Sequence, residues 1–189
     1  MGNFTEADIK TKYILPAIQK AGWDLQTQVR EEVSFTHGRI IVRGKMATRG
    51  VSKRADYILY YKPNIPLAII EAKDDGHQLG DGMQQALQYA EILDIPFVFT
   101  SNGTGFRFHD KSGASDQVER DLPLDCLPSP QELWKRYKKY RNIEVPAAET
   151  VVAQDYYSDG SSISSIICSA AAPNSDPDAR AMLLEFQTI

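Results

Sequence analysis

Asp56, Glu71 and Lys73 are the residues of this sequence whose types and spacing suit hydrolytic chemistry. They interrupt two apolar, β-forming runs, Arg54-Ala55-Asp56-Tyr57-Ile58-Leu59-Tyr60 and Ile69-Ile70-Glu71-Ala72-Lys73, joined through Lys62-Pro63-Asn64-Ile65-Pro66. Period-two alternation puts Leu67, Ile69, Glu71 and Lys73 on one strand face, so Glu71 and Lys73 point the same way. In a hairpin that turns between Pro63 and Asn64, Asp56 faces Glu71. Directly opposed residues have Cβ atoms about 4.5–5.5 Å apart, close enough for two carboxylates to share a divalent ion. Left unpaired they repel, and burying them is costly without a cation. Mg²⁺, a hard ion that takes oxygen ligands and retains waters, suits such a pair and leaves room for a substrate phosphate. Lys73 could orient or help deprotonate an attacking water, or stabilise negative charge on phosphorus. A structural ion pair at a strand end is the plainer alternative.

The elements that must position these groups are legible from periodicity. Thr5 and Asp8 form a capping-box-like start, and Ile9, Tyr13, Ile14, Ala17, Ile18 and Ala21 recur at helical spacing, which predicts a helix over residues 5 to 21, bent by Pro16. Strands are expected near residues 28 to 35 and 39 to 46, separated by the turn signal His37-Gly38, then at 54 to 61 and 67 to 73. Leu79, Met83, Ala86, Ala90 and Leu93 mark a helical face from about residue 76 to 93, with Gln78, Gly82, Gln85 and Tyr89 on a polar stripe beside it. Short strands at 96 to 100 and 106 to 109 and a helix at 131 to 140 complete the order. This succession predicts an α/β fold with a mixed central β-sheet flanked by helices, not a doubly wound parallel sheet.

Composition sets the outer bounds. The 189 residues carry 21 Lys and Arg against 25 Asp and Glu, with 42% hydrophobic residues, proportions of a globular chain with one main domain. A formal charge of −4 argues against a uniformly basic nucleic-acid binder but leaves room for a local basic face. Cys126 and Cys168 are too few for a disulfide framework and His37, His77 and His109 are scattered, so a reducing cytoplasm is the expected setting. Glu6, Asp8, Lys10 and Lys12 fall where a signal peptide would be apolar and no apolar run approaches a membrane span, so no membrane partner is expected. Residues 1 to 157 are read as the main domain. Residues 158 to 189, where Ser, Ala, Pro and Asp dominate the first two-thirds, are read as a tail or linker without stable structure.

The residues around Asp56 and Glu71-Ala72-Lys73 resemble the PD-(D/E)xK nuclease superfamily, and more closely the N-terminal nuclease domain of type I restriction enzyme R subunits. The resemblance spans roughly residues 3 to 157 and includes Gln85-Ala86-Leu87-Gln88-Tyr89, which is similar to the family's Gln-x-x-x-Tyr motif. It implies a restriction-endonuclease-like core, with Asp56, Glu71 and Lys73 catalytic in cleaving DNA. It also implies Mg²⁺ held by Asp56, Glu71 and the Ala72 backbone carbonyl. Gln85 and Tyr89 would position the site or contact DNA, and Glu6 would bring a further acidic group from the first helix. For Gln85 and Tyr89 the plainer reading is a solvated helix face, and for Glu6 a favourable charge in a first helical turn.

The same resemblance implies a longer protein in which an ATP-driven motor follows the nuclease and methyltransferase-specificity subunits choose the target. These 189 residues carry no motor motif, so the chain is expected to be a fragment or truncated product, with no ATP site of its own. Gly38 to Lys45 is not a phosphate-binding loop, because five residues separate its glycines and Met46 stands where Ser or Thr is required.

Between residues 30 and 54 seven basic residues, among them Arg39, Arg43, Lys45, Arg49, Lys53 and Arg54, face only Glu31 and Glu32. Such a stretch is a candidate track for the DNA backbone, although strand edges also carry Lys and Arg to deter aggregation. A second basic run, residues 135 to 141, interleaves with Trp134, Tyr137 and Tyr140 and reads as a helix surface or docking face. Two other functions therefore stand beside the nuclease: a non-catalytic docking module of a restriction complex, and a stand-alone PD-(D/E)xK repair or junction nuclease. Asp56-dependent metal affinity separates the first from an enzyme, and a preference for branched DNA marks the second.

Overall fold

The computed structural model describes residues 4–35, 41–43, 46–48, 53–113 and 117–143. The chain divides into a unit of Met1–Asn142 and another of Ile143–Ile189, and every described element belongs to the first. The turn at His37-Gly38, the stretch 154 to 157 and the tail from 158 lie outside the described residues.

The first helix comes in three pieces. Helix α1, Glu6–Ile9, opens with a reciprocal capping box between Thr5 and Asp8. A π-helical turn, Lys10–Ile14, then leads into helix α2, Leu15–Lys20. Proline has no N–H to donate and its ring crowds the carbonyl four residues back, so Pro16 in the first turn of α2 gives the widened turn before it a physical cause. Ile9, Ile14 and Ile18 are fully buried from this segment.

Six strands form the main sheet, in the order β1-β4-β5-β6-β7-β8. They are β1 Val29–Phe35, β4 Lys53–Tyr60, β5 Pro66–Ala72, β6 Phe97–Ser101, β7 Phe106–Asp110 and β8 Glu119–Leu122, while β2 Ile41–Arg43 and β3 Met46–Thr48 make a separate two-stranded ribbon. Where one strand was expected over 39 to 46, two short strands, Ile41–Arg43 and Met46–Thr48, pair antiparallel instead. Neighbours in the main sheet run antiparallel except β5 and β6, which are parallel and joined through helix α3, Met83–Ile92. A parallel pair needs such a crossover, which also lays a helix over the sheet. Buried Met83, Ala86 and Ala90 of α3 pack with Ile58, Ile69 and Val98 of the strands. Strand β5 is buried from Leu67 to Ala72 along both faces, as its continuous apolar run requires.

Helix α3 starts seven residues later than its periodicity suggested. Residues 76 to 82 form successive turns, in which the Asp74 carboxylate accepts from Gly76 N–H and Gly82 adopts φ +88°. Glycine supplies that left-handed conformation without steric cost, and the helix begins immediately after it. Gln78 and Gly82 consequently precede the helix that carries Gln85 and Tyr89.

Helix α4, Pro130–Tyr140, is capped by Ser129 and buries Leu133, Trp134 and Tyr137. Trp134 stacks on Tyr61 at 4.6 Å, and Arg136 pairs with Asp110 at 3.0 Å. Two of the three aromatics read as a docking face are thus core residues, and only Tyr140 is exposed. No helix among the described residues is long and apolar enough to cross a membrane.

Candidate active site

The β4–β5 ladder places the two acids. Its register runs Tyr57↔Ile70, Ile58↔Ile69 and Leu59↔Ala68, and the next step of the same register sets Asp56 against Glu71. The single irregularity, between Leu59 and Tyr60, falls at the turn end and leaves the acidic end undisturbed. Both acids are buried, with 9% and 4% of their side chains exposed.

Asp56 is held at both oxygens. Its Oδ2 accepts from the Ala72 backbone N–H at 2.8 Å, and its Oδ1 accepts from Lys10 Nζ at 3.2 Å. Glu71 is held at one. Its Oε1 accepts from Gln85 Nε2 at 2.6 Å and from Lys73 Nζ at 3.3 Å, whereas Oε2 is buried with no hydrogen-bond partner among the described residues. Burial first, and then the neighbouring Asp56 charge, push the Glu71 carboxyl up to about 7 against the pull of Lys73, with Glu6 adding a further like charge.

The supporting groups lie around this pair. The Gln85 amide has two protons on Nε2; one goes to Glu71 and the other to the Tyr89 hydroxyl at 2.9 Å. The Tyr89 ring is buried edge-on against Phe35, with Lys53 Nζ 5.4 Å above it. Gly82 abuts the Lys73 side chain: a Cβ there would stand 2.6 Å from Lys73 Cε. Glu6 is exposed in the first turn of α1 and acts on Glu71 as a like charge.

Of the basic candidates, Lys53 reaches Gln88 Oε1 at 3.4 Å and Arg54 pairs with Glu32 at 2.7 Å. Arg43 ends β2, whereas Arg39, Lys45 and Arg49 lie outside the described residues.

Three groups of the site escaped the sequence reading. Lys10, from the π-helical turn, contacts both Glu32 and Asp56. Burial alone would lower its ammonium, but the bonds to Glu32 and Asp56 outweigh that and hold it above the usual lysine range, while the Lys10 contact holds the Glu32 carboxyl below its own. Gly82 was visible only as part of a polar stripe. Glu32 sits abreast of Asp56 through the β1–β4 pairing, and no local sequence signal reveals a pairing between strands so far apart in the chain.

The arrangement fits a hard divalent cation. Two oxygen donors face each other on adjoining strands, and the buried Glu71 Oε2 has an acceptor's lone pairs with nothing to satisfy them. Among the described residues no three His, Cys, Asp or Glu side chains gather as a metal cage. Mg²⁺ commonly uses one or two carboxylates and completes its shell with water and substrate phosphate, so two suffice.

Comparison with known proteins gives a consistent picture. Residues 40–117 match the family model described as type I restriction enzyme R protein N terminus. The chain is 51% identical over 165 residues to the type I restriction enzyme EcoAI endonuclease subunit of Escherichia coli, covering 85% of this chain and 20% of that protein. Among solved structures it superposes on one described as a fragment of an HsdR subunit of a type I restriction enzyme from Vibrio vulnificus YJ016. That match has a TM-score of 0.69 at 33% identity and covers 83% of this chain and 30% of the other. The chain thus spans about a fifth of the curated relative's length.

Proposed function

Because the chain belongs to the family of type I restriction enzyme R-protein N-terminal domains, we propose that it is a Mg²⁺-dependent endonuclease domain that hydrolyses DNA phosphodiester bonds without sequence selection of its own. The observation that carries this reading is the buried Asp56–Glu71 pair with Lys73 Nζ 3.3 Å from Glu71 and a free acceptor at Glu71 Oε2. Asp56, Glu71 and the Ala72 carbonyl would hold the ion, which supplies polarisation of a phosphoryl oxygen when bound.

The chain's own groups do the rest. Lys73 places a positive charge where negative charge develops on the phosphoryl oxygens as water attacks phosphorus and the bond to the leaving oxygen breaks. Gln85 fixes the Glu71 carboxylate, and Tyr89, tied to Gln85 and buried against Phe35, is a positioning residue and not a stacking platform for bases. Arg39, Arg43, Lys45, Arg49, Lys53 and Arg54 would track the DNA backbone, with Arg54 leaving Glu32 to do so. The proposed setting is cytoplasmic, with residues 1 to 157 as the nuclease domain, 158 to 189 as a linker, and a motor and methyltransferase-specificity subunits as partners.

Plasmid nicking by the wild-type chain, Asp56→Ala and Lys73→Ala, each with Mg²⁺ or EDTA, tests the reading. Nicking that needs Mg²⁺ and falls at least about a hundredfold in both variants is the expected result. Equal nicking in all preparations would overturn the site assignment.

A further inference from the structure

The Asp56 carboxylate already holds a cation of the protein's own. We infer that Lys10 and Glu32 form a charge pair that sets how tightly Asp56 and Glu71 take a divalent ion: Lys10 competes for Asp56, and Glu32 draws it away. The inference rests on the metal-site reading of Asp56 and Glu71 above.

Two departures from regular backbone converge on Asp56. Lys10 opens the π-helical turn of the first helix, a distortion that often accompanies functional positions. Glu32 stands in the middle of β1 at φ +52°, in the left-handed region that a non-glycine residue rarely occupies inside a strand. The flanking pairs Glu31↔Tyr57 and Val33↔Ala55 keep Glu32 abreast of Asp56, so Glu32, Asp56 and Glu71 line up across three neighbouring strands. Lys10 Nζ, on a side chain only 14% exposed, makes its closer contact with Glu32 and its longer one, 3.2 Å, with Asp56. Arg54 Nε lies 2.7 Å from the other Glu32 oxygen as an ion pair without hydrogen-bond geometry, so Lys10 is the cation that Glu32 contacts by hydrogen bond.

An ammonium so close to Asp56 repels a dication that shares the same carboxylate, and partial burial weakens the screening. Removing Lys10 removes that repulsion and uncovers the Glu32 charge, so both changes tighten binding. Removing Lys10 and Glu32 together leaves net charge unchanged but takes away the charge in contact with Asp56. Binding then tightens by less.

Calorimetric titration of Mg²⁺ into the 189-residue chain tests the inference on wild type, Asp56→Ala, Lys10→Met and the Lys10→Met/Glu32→Gln double variant. The wild type should bind and Asp56→Ala should not. Lys10→Met should bind about tenfold more tightly and the double variant a few-fold more tightly than wild type. A folded Lys10→Met protein with unchanged or weaker affinity overturns the inference while leaving the metal site standing. A wild-type chain that takes no Mg²⁺ overturns both. A measurement free of substitution decides the matter should Lys10→Met fail to fold: the ¹⁵N resonance of Lys10 Nζ in wild type should move in step with Mg²⁺ saturation. A resonance that stays fixed overturns the competition.

Discussion

Asp110 and Glu71 are both acids buried at the ends of strands, yet the protein treats them differently. Asp110 is satisfied on each oxygen: Oδ1 accepts from the Ser112 backbone and hydroxyl, and Oδ2 from Arg136 at 3.0 Å. Glu71 has Oε1 doubly bonded and Oε2 bare, beside a second acid and under burial that raises its carboxyl to about 7. Equal burial with unequal compensation separates a charge that holds a helix to a sheet from one whose second oxygen no described group compensates.

The largest test of this contrast is Arg136→Met. It strands Asp110 without its counter-charge, and should cost about 2–4 kcal/mol in urea unfolding, the lower part of that range reflecting the partial exposure of Arg136. Glu71→Gln should act with the opposite sign and raise the stability of the metal-free protein above pH 7 by on the order of 1–2 kcal/mol. Its pH dependence follows from the raised carboxyl. The Glu71 carboxyl ionises near 4.5 in the unfolded chain and at about 7 in the folded one, so its contribution is full below pH 4.5 and is lost as pH rises through 7. Thermal melts of wild type between pH 4.5 and 8 should carry that slope, and Glu71→Gln should flatten it. A Gln variant less stable than wild type at pH 8 would erase the distinction between the two acids.

Gly82→Ala sharpens the contrast at the Lys73 side. The new methyl meets Lys73 Cε and strains a left-handed position, costing about 1 kcal/mol and pushing the ammonium from Glu71, with nicking reduced about tenfold. The smallest effect belongs to Tyr89→Phe. It removes the hydroxyl that accepts from Gln85 but keeps the ring against Phe35, so stability should fall by about 0.5–1 kcal/mol and nicking only a few-fold.

The parts of the fold that could be read in advance are those fixed by local pattern. The apolar run of β5, its short connection to β4 and the resulting register all depend on neighbouring residues, and they bring Asp56 opposite Glu71. Strand β8 escaped because Glu119–Leu122 is a polar edge strand, paired among the described residues with β7 alone and lacking an apolar alternation to announce it. The start of α3 lies later than the period suggests because Leu79 continues the helical spacing while the Asp74 bond to Gly76 N–H and the left-handed Gly82 keep the chain in turns. Lys10 and Glu32 were invisible for a different reason. Their meeting with Asp56 depends on β1 pairing with β4 and on the first helix lying beside them, contacts between residues 22 and 46 positions apart.

The most direct measurement is anomalous diffraction from crystals of the chain soaked in Mn²⁺, a redox-quiet stand-in for Mg²⁺ among oxygen ligands. The expected result is a peak coordinated by both the Asp56 and Glu71 carboxylates, with Lys73 alongside. Saturating Mn²⁺ that leaves Glu71 Oε2 bare, or that binds elsewhere, would contradict it.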